Sequence, residues 1–100
     1  MNVKVQSIKF DADKKLIDFI EKKISKLEKF FDGIIGAEVI LRLDNHSTDP
    51  TDNKKVEVLI KLPGKEAFAE RVSKSFEEAV DHCADALKIQ LSKAKGKIQN

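Results

Sequence analysis

Lys15, Lys22, Lys26 and Lys29 recur along one segment, interleaved with Leu16, Ile20, Ile24 and Leu27. At about 100° per residue the lysines fall within a stripe about 60° wide, nearly opposite the apolar one. Four ammonium groups over about four turns space positive charge at intervals comparable to phosphates on an RNA backbone, and neutralising those phosphates would release counterions. Taken alone, the stripe reads more readily as a solvated helix face carrying ordinary i,i+4 pairs such as Asp18 with Lys22. A second charged segment divides in two: Glu77, Glu78, Asp81 and Asp85 precede Lys88, Lys93, Lys95 and Lys97. That order complements a helix dipole with no function attached. The basic end would join the first stripe in one groove if the two helices lie side by side.

Other chemistries find little support. His46 and His82 have no spacing that would assemble a zinc set with Cys83. Cys83 is the sole cysteine and lies on an apolar stripe, where a small buried side chain is the ordinary reading. Asp44, His46, Ser47 and Asp49 crowd one polar stretch, but turns use the same residues and their proximity builds no rigid triad. Gly33, Gly36, Gly64 and Gly96 are isolated, so no phosphate-cradling loop is present and no nucleotide cofactor is expected. The expectation is a non-enzymatic protein with no metal and no cofactor.

The elements that must position the lysines follow from periodicity. Residues 2 to 9 alternate, with Val3, Val5 and Ser7 on one side and Lys4, Gln6 and Ile8 on the other, which predicts a first strand. Asp11 or Asp13 caps a first helix reaching about Phe31. Gly33 and Gly36 suit its end and the following turn, and residues 37 to 43 form a second strand. The stretch DNHSTDPTDN, residues 44 to 53, is expected to be a mobile loop. Residues 55 to 62 and 65 to 72 form a hairpin through Pro63-Gly64. Ser75 and Glu78 stand at capping-box distance before a last helix that buries Phe76, Val80, Cys83, Leu87, Leu91 and Ala94. The order is β-α-β-β-β-α, an α+β class in which a four-stranded sheet carries two helices packed on one face.

One hundred residues suit a single domain spanning 1–100. The core must be aliphatic with a few phenylalanines, because Trp and Tyr are absent. One cysteine, no continuous apolar run and an alternating start lead to the expectation of a soluble cytoplasmic protein. A net charge of +2 is too small to announce a nucleic-acid binder, so the placement of charge must carry that case.

At KLEKFFDGI, residues 26 to 34, the sequence resembles the ribosome hibernation factors and the related ribosome-associated inhibitor, once called the sigma-54 modulation protein family. The resemblance continues through EVILRL, the Leu62-Pro63-Gly64 hairpin, Ala79-Val-Asp81 and the run from Asp85 to Lys95, covering essentially the whole chain. It implies the same β-α-β-β-β-α fold, similar in look to double-stranded RNA-binding domains. It further implies a translation silencer seated in the small-subunit cleft, where messenger RNA and transfer RNAs bind, with basic residues of both helices on ribosomal RNA. Carried over residue by residue, phosphate contacts are expected from Lys22, Lys23, Lys26 and Lys29 and from Lys88, Lys93, Lys95 and Lys97, with Lys15 joining from the stripe. Lys23 lies off that stripe and is the weakest of them.

Two departures stand out. Ala86 and Ile89 occupy positions where family members often carry basic residues, which weakens the expected grip of the second helix. Ser75 and Glu77 replace the acidic and aromatic residues usual before that helix, so no contact is carried over there. The chain is most like the short form of the family, a monomer off the ribosome that works with a companion ribosome-dimerising factor. Two other readings stay open: a generic structured-RNA-binding domain, and a small ferredoxin-like hydrolase such as an acylphosphatase. The second fits poorly, because that fold ends in a strand and needs an anion-binding arginine.

Overall fold

The computed structural model describes residues 1–44 and 51–99, with side chains through residue 95. The elements run β1 (Asn2–Ser7), α1 (Lys14–Ser25), a 3₁₀ turn at Lys26–Phe30, β2 (Gly36–Leu43), β3 (Lys54–Leu62), β4 (Lys65–Ser73) and α2 (Phe76–Gln99). One sheet has the spatial order β1-β2-β3-β4. β1 pairs parallel to β2 across the α1 crossover, and the other two pairings are antiparallel. The expected α+β order therefore holds, with both helices on one face.

Alternation along the strands sends one set of side chains into the core. Ala37, Val39 and Leu41 of β2 are buried, as are Val56, Val58, Ile60 and Leu62 of β3. β4 contributes only Ala67 and Ala69 to this face. These small residues leave room for α2, which packs over β3 and β4 with Val80, Cys83, Leu87 and Leu91 fully buried. α1 packs on β1 and α2, burying Ile20 and Ile24. At the sheet's end, Phe10 and Phe76 stack with ring centroids 5.1 Å apart.

Local signals set the boundaries. Asp13, rather than Asp11, caps α1, its carboxylate accepting the Leu16 N–H at 2.8 Å. Ser75 Oγ accepts the Glu78 N–H at 3.1 Å at the start of α2. In the β3–β4 turn, Pro63 fixes its own φ and Gly64 takes φ +76°, a value that L side chains resist. Gly36 departs from expectation, since it is the first residue of β2 rather than part of a turn. A Cβ there would stand 3.2 Å from the Asn2 carbonyl oxygen, a tight contact that the bare Cα avoids in the parallel β1–β2 pairing. Residues 45–50, the centre of the expected loop and the place of His46, Ser47 and Asp49, lie outside the described residues.

The outer sheet face is charge-balanced. Glu57 and Glu70 are directly opposed, and each is met by a cation: Arg42 to Glu57 at 3.1 Å and Lys55 to Glu70 at 3.3 Å. Lys61 holds Glu38 at 3.1 Å. On the β4 edge, the Gln90 amide straddles Phe68, donating to its carbonyl at 2.8 Å and accepting its N–H at 3.3 Å.

Leu87 is completely buried between α2 and the sheet. Leu87→Ala is expected to cost about 2–5 kcal/mol through lost burial and the cavity left behind, which thermal unfolding would register as a fall in Tm of at least about 10 °C.

Candidate nucleic-acid interface

The first helical segment does not stay α-helical to Phe31. It tightens at Lys26 into a 3₁₀ turn that ends at Phe30, and Phe31 is already extended (φ −161°, ψ 118°). In a 3₁₀ turn residues three apart eclipse one another. Lys26 and Lys29 therefore come into line, and Leu27 and Phe30 form a second line beside them. The 100° step of the α-helix gives way there to about 120° per residue.

The result is a notch of about 140 Å³ between this turn and α2, lined by Lys23, Lys26, Leu27, Lys29, Phe30, Ala84 and Lys88. Leu27 and Ala84 are buried and form its floor, while Phe30 is half-buried. Lys88 carries its ammonium over the Phe30 ring, 5.9 Å from the centroid. Of the groove expected between the first stripe and the basic end of α2, this notch brings together Lys26, Lys29 and Lys88, with Lys23 added from off the stripe.

The four ammonium groups are not equivalent. Lys23 lies 2.8 Å from Asp81, and Lys88 lies 3.6 Å from Asp85. The hydrogen bond and charge of Asp81 raise the Lys23 pKa above its ordinary value, so that residue stays protonated. Lys26 and Lys29 make no ion pair with any described residue. Lys23, the weakest candidate on sequence grounds, faces α2 and sits in the notch. Lys15 and Lys22 are exposed on α1 but do not line it, and the Asp18–Lys22 pair is not formed.

Lys93 borders a different recess of about 260 Å³ with Leu62, Lys65, Glu66, Ala67, Gln90 and Ala94. Lys95 is half-buried without an ion pair to a described residue, and the Lys97 side chain lies outside the described region. At the two departures, Ala86 is half-buried and Ile89 is 60% exposed.

Comparison with known proteins identifies the family and the fold. The profile of the family described as Sigma 54 modulation protein / S30EA ribosomal protein matches residues 3–99. The chain belongs to this family. It is 32% identical over 97 residues to the ribosome hibernation promoting factor of Azotobacter vinelandii, covering 97% of this chain and 85% of that protein. Among solved structures, it matches a ribosomal subunit interface protein from Coxiella burnetii with a TM-score of 0.79 at 25% identity, covering 96% and 99% of the two chains. The N-terminal domain of Thermus thermophilus Protein Y gives a TM-score of 0.78 at 26% identity, with 93% and 98% covered.

Three features of the interface were not legible beforehand: Phe30 as an aromatic wall, Asp81 as the clamp on Lys23, and the turn that aligns Lys26 with Lys29. The one available signal was the paired i,i+3 spacing of Leu27 with Phe30 and of Lys26 with Lys29. Among the described residues no cluster of His, Cys, Asp and Glu could hold a metal ion.

Cys83 is remote from this chemistry. It is fully buried, donates its S–H toward the Val56 carbonyl at 3.6 Å, and has its pKa pushed up to about 11, chiefly by desolvation. The native thiol should resist alkylation at pH 8 and react promptly in denaturant, which a timed thiol-titration assay would measure. Because the folded pKa is raised, the associated stabilisation is complete below pH 9.0, the ordinary value of this thiol, and is lost as pH rises to about 11.

Proposed function

We propose that this chain is a ribosome hibernation promoting factor that binds ribosomal RNA in the decoding region of the small subunit and blocks the messenger RNA and transfer RNA sites. Family membership supports ribosome association, and the named relatives support the hibernation role. The observation that carries the RNA-facing assignment is the notch, where Lys23, Lys26, Lys29 and Lys88 converge between two helical elements. Lys26 and Lys29 are its principal phosphate contacts, since neither must first leave a carboxylate. Lys23 is paired with Asp81 at 2.8 Å, and Lys88, in a looser exposed contact with Asp85 at 3.6 Å, adds a further positive charge to the rim. Lys15, Lys22, Lys93 and Lys95 add further positive charge beyond the notch, and Lys97 joins them as a candidate by its place in the sequence.

Such contacts act through charge and RNA shape rather than base identity. Binding therefore weakens as salt rises, by a slope set by the number of phosphates engaged. Nothing in this role calls for a covalent step, so the protein acts by occupancy and is not an enzyme. Its workplace is the cytoplasm, and a companion factor that pairs ribosomes fits its action there.

Sedimentation of purified ribosomes with the protein, at low and moderate salt, tests the proposal. The protein is expected on small subunits and intact ribosomes, in amounts that fall with salt. Lys26→Glu combined with Lys29→Glu should reduce this binding and lower the slope of log affinity against log salt by about one unit per lysine, with Tm unchanged. Absence of the wild-type protein from every ribosomal fraction would overturn the proposal. Equal affinity for isolated RNA duplexes would instead make the protein a generic RNA-binding domain.

A further inference from the structure

We infer that the notch between the 3₁₀ turn and α2 takes the base of one unpaired RNA nucleotide, stacked against Phe30, while Lys26 and Lys29 hold the flanking phosphate. The inference rests on the reading that this face meets RNA and adds what the notch is for. A surface built only to follow phosphates needs charge and no cavity. Here the lysines rim a recess whose floor is Leu27 and Ala84 and whose wall is an aromatic ring. At about 140 Å³ the recess is well below the roughly 300–1,000 Å³ of ordinary small-molecule pockets, a size suited to a single flat ring system.

Charge placement sets the orientation of the guest. On the α2 side the charges of Lys23 and Lys88 are offset by Asp81 at 2.8 Å and Asp85 at 3.6 Å, two carboxylates outside the lining of the recess. The outer side carries Lys26 and Lys29, which have no ion pair with a described residue. An anionic group is therefore favoured at the 3₁₀ rim and a neutral, planar group inside. A nucleotide divides its polarity in the same way.

The Phe30 ring already has a π-face partner, the Lys88 ammonium at 5.9 Å, held only by an exposed contact to Asp85 at 3.6 Å. Exposed pairs of this kind bind weakly, so Lys88 can swing from the ring to a backbone phosphate as the base arrives. A paired base cannot enter, because its faces are covered by its neighbours in the stack. Bulged or single-stranded nucleotides, whose bases splay onto aromatic side chains, are the matching class.

The test compares three RNA hairpins of one stem sequence: one with a single bulged adenosine, one with an abasic bulge and one fully paired. Affinity is measured at moderate salt with the whole chain. The wild-type protein should prefer the adenosine bulge to the abasic bulge by about tenfold, the scale of one base–aromatic stack. Phe30→Leu, which keeps apolar bulk but loses the ring, should erase that preference, and Phe30→Tyr should restore it, with Tm reporting that each variant is folded. Lys26→Glu with Lys29→Glu should weaken binding to all three hairpins alike. If the wild-type protein binds adenosine and abasic bulges equally, with normal salt dependence, the notch takes no base and the inference fails while the RNA-facing reading stands. If it binds none of the hairpins and no small subunits, both fail together.

Discussion

A four-stranded sheet with two helices must bury one face completely, and the fit of α2 against β3 and β4 is the constraint on which the other contacts depend. Val80, Cys83, Leu87 and Leu91 form a continuous buried stripe, and the strands beneath answer with branched residues on β3 and alanines on β4. Large side chains at Ala67 and Ala69 would lift the helix off the edge strand. With α2 seated close to the sheet, α1 has only β1 and the flank of α2 left to cover, and this puts the two helical elements side by side. The basic notch is a by-product of that contact. Its floor is made of core residues, so its shape is as firm as the core.

The same packing accounts for the change in helical pitch. Leu27 and Phe31 are both buried, yet the chain must leave the helix, pass Gly33 at φ +86° and enter β2 with Gly36 pressed against β1. A 3₁₀ turn, with a rise of about 2.0 Å per residue against 1.5 Å in an α-helix, covers that distance in fewer residues. Chain geometry thus brings Lys26 and Lys29 into line with each other at the notch, while Lys15 and Lys22 lie along α1 outside its lining.

The architecture was legible in the sequence because its signals are local. Alternation in residues 2–9 and 55–62, an aspartate cap at Asp11 or Asp13, the Pro63-Gly64 turn and the apolar stripe from Phe76 to Ala94 each report a short-range physical rule, and together they dictate the element order. The interface was legible only in part. Periodicity identified the lysines of one stripe and ranked Lys23 the weakest candidate, but it could not show that Lys23 meets Asp81 of α2, or that Lys26 and Lys29 line a notch that Lys15 and Lys22 do not reach. Gly36 was assigned to a turn because the close approach of Asn2 involves a strand thirty-four residues away. Signals of that kind arise between elements and leave no trace in either segment alone.

Gln90 shows how α2 governs the border of the sheet as well as its inner face. β4 is an outer strand, and an outer strand ordinarily presents unmatched N–H and C=O groups to any extended chain that passes. At Phe68, near the middle of β4, both groups are already satisfied by one side-chain amide, which reproduces the pairing a neighbouring strand would offer. An extended chain approaching this edge would have to displace the Gln90 amide before it could pair at Phe68, so the middle of β4 is guarded by a side chain of the helix that covers it.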